Sequence, residues 1–596
     1  MAAGICTPRP LSGILMQGRR QAAGRAEGGA QEPSGRTVTM SKTSGKRALA
    51  ELLRREGVDY VFGIPGATEI HFMDAIETAP EIRYILGLHE VVCAGMAEGY
   101  ARASGRPGFL NLHTGPGLAA ATPMLYNALA GRVPLVVTTG QNDSRLLQRD
   151  PHLSGDIVGM GRIFTKWATE IVHVEDLPVV LQRAFKLAQQ PPMGPVLVSI
   201  PQNVLTQELE FDLRPTTVVH SRLRPDALAL AAAVEVLAVA ERPMLLVESG
   251  VARSGALDEV VRLAELTGAR VYQGWMADVN FPLNHPQYLG DFDPSAASAN
   301  DVLKDVDVLV AVGCSVFAES FFNPKAPRLK GIRIVHIDDD PGEIGKNYST
   351  DYGLQGDIRT TLAELNACLD SALTEAEAAG RRERVRRRAE EIAREKTTAA
   401  ATLRSQWDEE RDLKPISVSR LMTEIAAVST RATVVVDDCW SSSGTLRQIL
   451  DLSRPGSYFR GRKGGSIGWG LPGALGVKLG APGAEVIAVV GDGSAAWSMQ
   501  SLWTAARYQI PVTFVILNNA TYGQVKVVRR IVLGDYPLAE KHEGMELDRP
   551  VMDFSLLARS LGVESERIDD PRQLKASLQR ALGLGSPSVI EVMVRW

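Results

Sequence analysis

Two stretches in the last quarter of the chain place oxygen donors at the ends of apolar runs. The run VIAVV closes on Gly491, Asp492 and Gly493; after 24 further residues the run VTFVIL closes on Asn518 and Asn519. One carboxylate and one amide oxygen make a poor cage for a metal alone. They make a good half-cage for Mg²⁺, which takes oxygen ligands and completes its octahedron with phosphate oxygens and water. Gly491 and Gly493 are expected to let backbone N–H groups approach those phosphates, with Ser494 in the first turn of the helix that follows. A second acid, Glu90, ends the apolar run IRYILG and opens a helix of small residues. A carboxyl so placed can serve in general acid–base work. His113 ends the run FLNLH, where an imidazole can pass a proton or hold a carboxylate near neutral pH. Ser441 and Ser442 follow TVVVDDCW and could contact phosphate or simply form a turn.

These residues need strands that end at a common edge. Short apolar runs alternate with helical stretches from Lys46 onward: PGFLNLH, VPLVVTTG and PVLVSIP first, then RPMLLVESG, ARVYQGW, VDVLVAVG and IRIVHIDDD, then ATVVVDDC, EVIAVVGDG, VTFVILNN and PSVIEVMV. That alternation predicts parallel sheets with helices on both faces. The fold class is therefore α/β, with three doubly wound, mainly parallel-sheet domains over residues 42–212, 218–370 and 414–596. The mixed-sign charged stretch 371–413 reads as a solvated helical linker, and 1–41 as a disordered extension. In open α/β sheets, ligands bind beyond the carboxyl ends of the strands, which is where the candidate residues fall.

A net charge of −4 gives no electrostatic case for nucleic acid or an anionic membrane. Five scattered cysteines without a C-x-x-C pair argue against a disulfide framework or a zinc site, and suit a reducing compartment. No run of 18 apolar residues predicts a transmembrane helix, so a cytoplasmic location is expected.

GDG followed after 24 residues by NN resembles the diphosphate and Mg²⁺ signature of thiamine-diphosphate-dependent enzymes. The likeness extends over nearly the whole chain after residue 42. Within that superfamily RPGSYF, GDGSAAWS, SLWTAARYQIPVTFVILNNATYG, ILGLHE and FLNLHTGPG resemble benzoylformate decarboxylases, and acetolactate-synthase-like carboligases come next. The resemblance implies thiamine diphosphate and Mg²⁺ as cofactors, with Asp492, Asn519 and the Thr521 carbonyl as metal ligands. Gly491, Gly493, Ser494 and Tyr522 would lie about the diphosphate, with Ser441 and Ser442. Glu90 would hold the pyrimidine; Ile467 would bend the cofactor and Gly465 would leave its carbonyl for the amino group. His113 matches an active-site histidine. The implied reaction is attack of the cofactor's C2 ylid on a 2-oxoacid, loss of CO₂ and formation of a carbanion-enamine. The active site would lie between subunits of a homodimer or homotetramer. FAD belongs to the middle domain of acetolactate synthases, and nothing specific signals it here.

The substrate positions depart from the decarboxylase pattern. Ala67 stands where the family holds the substrate carboxylate with a serine, leaving Thr68 or His71 to take its place. Ser320 falls near a second family histidine, and Gln524 replaces a small apolar pocket residue. These changes predict a 2-oxoacid decarboxylase of altered substrate choice. An acetolactate-synthase-like carboligase is the alternative. A non-catalytic homologue would be expected to lose Glu90, Asp492 or Asn519, and all three are present. A dinucleotide oxidoreductase needs G-x-G-x-x-G after a strand, which the glycine turns GDGS and GGSIGWG do not provide.

Overall fold

The computed structural model describes residues 38–274, 276–296, 298–318, 329–371, 375–461, 464–534 and 537–595. Three six-stranded sheets, parallel throughout, form its frame. The first orders its strands Arg83–Leu86, Tyr60–Gly63, Gly108–Leu112, Leu135–Gln141, Pro195–Pro201 and Trp167–Glu170. The second runs Tyr288–Phe292, Arg270–Gly274, Pro243–Val247, Val308–Val312, Arg333–Asp338 and Tyr352–Gln355. The third runs Tyr458–Arg460, Thr433–Asp438, Glu485–Gly491, Val512–Asn518, Ser588–Met593 and Glu564–Ile568. Central strands such as VTFVILN are buried along their whole length. Helices cover both faces, so these segments read as unbroken apolar runs rather than alternating ones.

Strand Val38–Ser44 pairs antiparallel with Glu208–Leu213, with Met40 beside Phe211. Residues 38–41, expected in a disordered extension, are thus held in a ribbon. Their backbone groups find partners in a strand the sequence did not announce. The charged stretch 371–413 contains the helix Glu375–Glu409.

The domains are joined by backbone-close packing. Helix Glu90–Ser104 crosses helix Gly470–Gly480 through glycines. A Cβ on Gly99 would stand 2.2 Å from the Gly473 carbonyl oxygen, and one on Gly476 2.0 Å from that of Met96. Only glycine permits that approach. Val92 and Leu475 share one apolar core across this contact, while Val310 and Ile487 share another between the second and third sheets. Arg102, its side chain 3% exposed, pins all three sheets' domains together. It bonds Asp278 and the Arg460 carbonyl, each at 2.7 Å, and its guanidinium lies 4.5 Å from the Trp469 ring centre.

Candidate active site

The third sheet brings the acid and the asparagines to one edge. Strands Glu485–Gly491 and Val512–Asn518 pair with Gly491 beside Leu517, so both chains leave the sheet together. Asp492 is buried, and its Oδ1 accepts the Gly493 N–H at 2.8 Å. Its Oδ2 accepts the N–H groups of Ala520 at 2.7 Å and Asn519 at 3.2 Å. Burial pushes the carboxyl up to about 6, against the pull of those N–H bonds.

The two asparagines part company. Asn518 Nδ2 donates to Glu591 at 2.7 Å and to the Met552 carbonyl at 3.0 Å, which fastens the strand end. Asn519 instead accepts the Thr521 N–H at 3.0 Å, with Ala520 between them at a left-handed φ of 53°. Thr521 Oγ1 donates to the Met545 carbonyl at 2.8 Å. Asp492, Asn519 and Thr521 therefore crowd one tight turn. Among the described residues no group of three or more His, Cys, Asp or Glu could hold a metal by itself. One carboxylate with neutral oxygens fits Mg²⁺ that arrives with phosphate oxygens, and does not fit a closed structural metal site.

The two glycines of the turn differ from each other. A Cβ on Gly493 would stand 2.5 Å from the Tyr522 ring, so Gly493 makes room for that ring. Its N–H is spent on Asp492, not free to meet a phosphate. Gly491 is extended, and its nearest neighbour to an added Cβ is 3.8 Å away, an ordinary contact. Ser494 is buried in the helix Asp492–Ser498.

Asp438, which the sequence reading passed over, holds the neighbouring loop. It ends strand Thr433–Asp438 and is 3% exposed. Its Oδ2 accepts the N–H groups of Gly468 at 3.1 Å and Gly470 at 2.9 Å, and its Oδ1 accepts Trp440 Nε1 at 2.8 Å. Burial pushes this carboxyl up to about 7. Half-buried Ile467 precedes those anchored glycines, and exposed Gly465 takes the left-handed φ of 74°. Ser441 and Ser442 sit in the short turn Trp440–Ser442 at the same strand end, Ser442 buried and Ser441 half-buried. An acid closing an apolar run was the available signal, the same one that marked Asp492.

The first sheet builds a second corner. Glu90 begins helix Glu90–Ser104, whose N-terminus His89 caps by accepting the Val91 N–H at 3.1 Å. A Cβ on Gly117 would stand 3.4 Å from Glu90 Oε1 and 3.7 Å from His113 Cβ. Gly117 thus lies between the Glu90 carboxyl and the His113 Cβ. His113 ends strand Gly108–Leu112 and lies against Gly66, where an added Cβ would meet the ring at 2.2 Å. Its Nδ1 stands 2.7 Å from Glu69 Oε2 and 3.1 Å from Thr68 Oγ1. Glu69, 1% exposed, also accepts the N–H groups of Gly66 and Gly140, each at 2.9 Å, and the Thr68 hydroxyl at 2.7 Å. Sequence reading missed Glu69 although it lies between Thr68 and His71. An acid one residue before an apolar helix looks like a cap.

Of the substrate candidates, Thr68 is brought to His113 while Ala67 is exposed on the same turn. His71 lies beside Asp74, one turn along the helix Ile70–Glu77. Gln524 is half-buried at the start of helix Gly523–Leu533. Ser320 lies outside the described residues.

Parallel-sheet domains carrying an acid-amide turn at one strand edge and a Glu–His corner at another define a cofactor-dependent α/β enzyme. The chain belongs to the thiamine pyrophosphate enzyme family. Residues 43–160 match that family's N-terminal TPP binding domain, 230–365 its central domain and 441–592 its C-terminal TPP binding domain. The chain is 32% identical over 554 residues to benzoylformate decarboxylase of Pseudomonas aeruginosa, covering 91% of this chain and 98% of that protein. It is 30% identical over 583 residues to a probable acetolactate synthase large subunit of Methanocaldococcus jannaschii, covering 92% of each. A solved structure of a thiamine diphosphate-dependent 4-hydroxybenzoylformate decarboxylase from Rhodococcus jostii superposes with a TM-score of 0.79 at 27% identity, over 93% of this chain and 99% of that one. Among the described residues no helix is long and apolar enough to cross a membrane.

Proposed function

We propose that the protein is a thiamine-diphosphate- and Mg²⁺-dependent 2-oxoacid decarboxylase whose preferred substrate is not benzoylformate. The observation that carries this reading is the corner in which Glu90 and His113 share the space beside Gly117. When bound, thiamine diphosphate supplies the nucleophilic carbon and the electron sink that decarboxylation needs. Asp492, Asn519 and the Thr521 carbonyl would hold Mg²⁺ and, through it, the diphosphate. Gly465 and Ile467 would flank the ring system on a loop that Asp438 fixes by two backbone bonds. Glu90 would hold a proton for the pyrimidine. His113 would offer its Nε2 to the substrate, its Nδ1 being engaged by Glu69. The functional division would follow the limits 42–212, 218–370 and 414–596, the first widened to 38–213 by the ribbon of Val38–Ser44 and Glu208–Leu213.

The cofactor would be shared between two subunits. The loop bearing Ile467 is tied to the first domain of its own chain at Asn127, which donates to the Ser466 carbonyl at 3.1 Å and accepts its N–H at 3.0 Å. Asn127 and Gly117 stand ten residues apart on the helix Thr114–Ala130, about 15 Å along its axis. A chain's own Glu90 corner is thus remote from its own cofactor loop, which supports a homodimer as the smallest active unit.

Ala67 favours altered substrate choice, since no hydroxyl stands at the position where the decarboxylases use serine. Thr68 does not replace it simply: its hydroxyl is spent on Glu69. The 30% identity to a probable acetolactate synthase large subunit over nearly the whole chain favours carboligation as the second reading. Purified protein with thiamine diphosphate and Mg²⁺ would be offered pyruvate, benzoylformate and longer aliphatic 2-oxoacids separately, following CO₂ and carbon products. Aldehyde from an aliphatic 2-oxoacid supports the proposal. Acetolactate from pyruvate replaces decarboxylase by carboligase, and efficient benzaldehyde formation from benzoylformate removes the altered substrate choice.

A further inference from the structure

The middle domain has the crevice in which α/β sheets bind dinucleotides, and the family resemblance raises FAD as its occupant. Strand Pro243–Val247 pairs with Arg270–Gly274 on one side and Val308–Val312 on the other, so the chain reverses its direction of build between Pro243–Val247 and Val308–Val312. Ligands bind at such a switch point when its first turn leaves N–H groups and open space for a diphosphate. Here the N–H groups are engaged within the protein, and the cavity that remains is about 70 Å³, well short of the roughly 300–1,000 Å³ of a small-molecule site. The Gly250 N–H donates to the Gly313 carbonyl at 3.1 Å, that of Val251 to the Glu248 carbonyl at 2.9 Å, and that of Ala252 to Asn280 Oδ1 at 3.1 Å. A Cβ on Gly250 would stand 2.4 Å from Gly313 Cα, so the two backbones touch where a diphosphate would pass.

A side chain from the first domain fills the mouth. Arg132 follows the helix Thr114–Ala130 at a left-handed φ of 54°, a costly backbone for a residue with a Cβ. Its Nη1 lies 3.2 Å from Asp338 and 3.2 Å from Asp339; its Nη2 lies 2.9 Å from Asp340 and 3.4 Å from Glu343. The arginine side chain is 14% exposed. Glu343 is held in turn by the Ser315 hydroxyl on the loop after Val308–Val312. Arg253 and Glu248 also line it, beside neutral residues such as Ser249, Met276 and Cys314. Arg132, Arg253 and Lys346, which pairs with Glu343 at 3.2 Å, thus face five carboxylates, a field that still opposes a diphosphate and welcomes a guanidinium.

We propose that this crevice is a socket for Arg132, an ionic clasp between the first and middle domains that stands in the place of a dinucleotide. The residues present do not fit FAD. The clasp begins where the helix Thr114–Ala130 ends, and that helix starts beside His113, so middle domain and Glu–His corner are held by the two ends of one rod. The inference does not rest on the substrate reading, because no substrate enters its test.

The whole protein would be incubated with FAD and, separately, ADP, then desalted and its absorbance and flavin fluorescence read, with ADP followed by titration calorimetry. The expected result is no retained flavin and no saturable heat. Flavin retained at about one per chain, or ADP binding at micromolar affinity (about −8 kcal/mol), would overturn the proposal. Amide exchange then tests the clasp itself. In Arg132→Met the segment 338–345 should exchange at least about tenfold faster, while 489–493 keeps its wild-type rate. Arg132→Lys keeps the charge but not the fork, and should fall between the two. It carries the test if the methionine variant does not fold. Wild-type exchange at 338–345 in the folded variant would end the clasp reading.

Discussion

Glu90 and His113 flank Gly117: a Cβ built there would stand 3.4 Å from the Glu90 carboxyl and 3.7 Å from His113 Cβ. Each comes from the carboxyl edge of a different strand of the first sheet, Arg83–Leu86 and Gly108–Leu112. If Glu90 holds the proton that activates the cofactor, Glu90→Gln keeps shape and removes the acid. Thiamine diphosphate should still bind within about threefold, whereas exchange of its C2 proton should slow by about 10²–10⁴-fold. Quenched-flow deuterium exchange followed by NMR reads this directly. Near-normal exchange in that variant takes the role away from Glu90.

Glu69 should be worth more than its burial suggests. Both its oxygens accept backbone N–H groups, from Gly66 and Gly140, besides the His113 ring and the Thr68 hydroxyl. Removing the carboxylate orphans several donors at once. Glu69→Ala should cost about 3–5 kcal/mol of unfolding free energy, Thr68→Val only about 1. Urea unfolding compares the two, and equal small losses would mean the network is not holding His113.

The sequence told the centre of each sheet and, of the rims, only Arg83–Leu86. Buried apolar runs such as VLVAV and VTFVILN announce themselves because helices cover both faces. Trp167–Glu170, Tyr288–Phe292, Tyr352–Gln355, Tyr458–Arg460 and Glu564–Ile568 went unread, and every one is an edge strand. They are short or half-exposed, as ESERI is, so no apolar run marks them. At the site, Asp492 and Asn519 were legible because their spacing is local to one strand–helix–strand unit. The parts that hold such residues were not legible. Glu69 meets His113 across 44 residues and Asp438 meets Gly470 across 32, distances only the folded sheet closes. The reason given for Gly493 also changed, from phosphate approach to clearance for Tyr522.

Asp438 should leave a pH signature on the cofactor-free protein. Burial raises its folded carboxyl to about 7, while the unfolded chain titrates near the ordinary value of about 3.9. Between these values the folded state holds the extra proton. Stability from this group is therefore full below about pH 4 and is lost as pH rises through about 7. Asp438→Asn cannot titrate, so the wild-type curve should fall relative to it by at most about 1.4 kcal/mol per pH unit in that window. Denaturant melts at several pH values between these limits give the difference, and parallel curves would show that Asp438 does not titrate there. The amide must also turn its NH₂ toward either the glycine N–H groups or Trp440 Nε1, so near pH 4 the variant should be weaker by about 1–3 kcal/mol, a gap that closes as the pH rises through the window.

Metal dependence should be read through Asp492→Asn rather than alanine. The carboxylate fastens its own turn through Gly493, Asn519 and Ala520, so alanine confuses loss of a ligand with loss of the turn. Asparagine keeps the shape and one oxygen but removes the charge that an Mg²⁺ ion would meet. The affinity for thiamine diphosphate at millimolar Mg²⁺ should drop about 100-fold, or about 2.8 kcal/mol. Raising Mg²⁺ should recover part of that loss, because a weakened metal site is refilled by mass action. In the wild type, chelation should release the cofactor at the same rate as it removes the metal. Tryptophan fluorescence during titration measures each case, Trp497 lying in the helix that Asp492 begins. Wild-type affinity in the asparagine variant, or cofactor retained in excess chelator, would separate the acid-amide turn from metal binding.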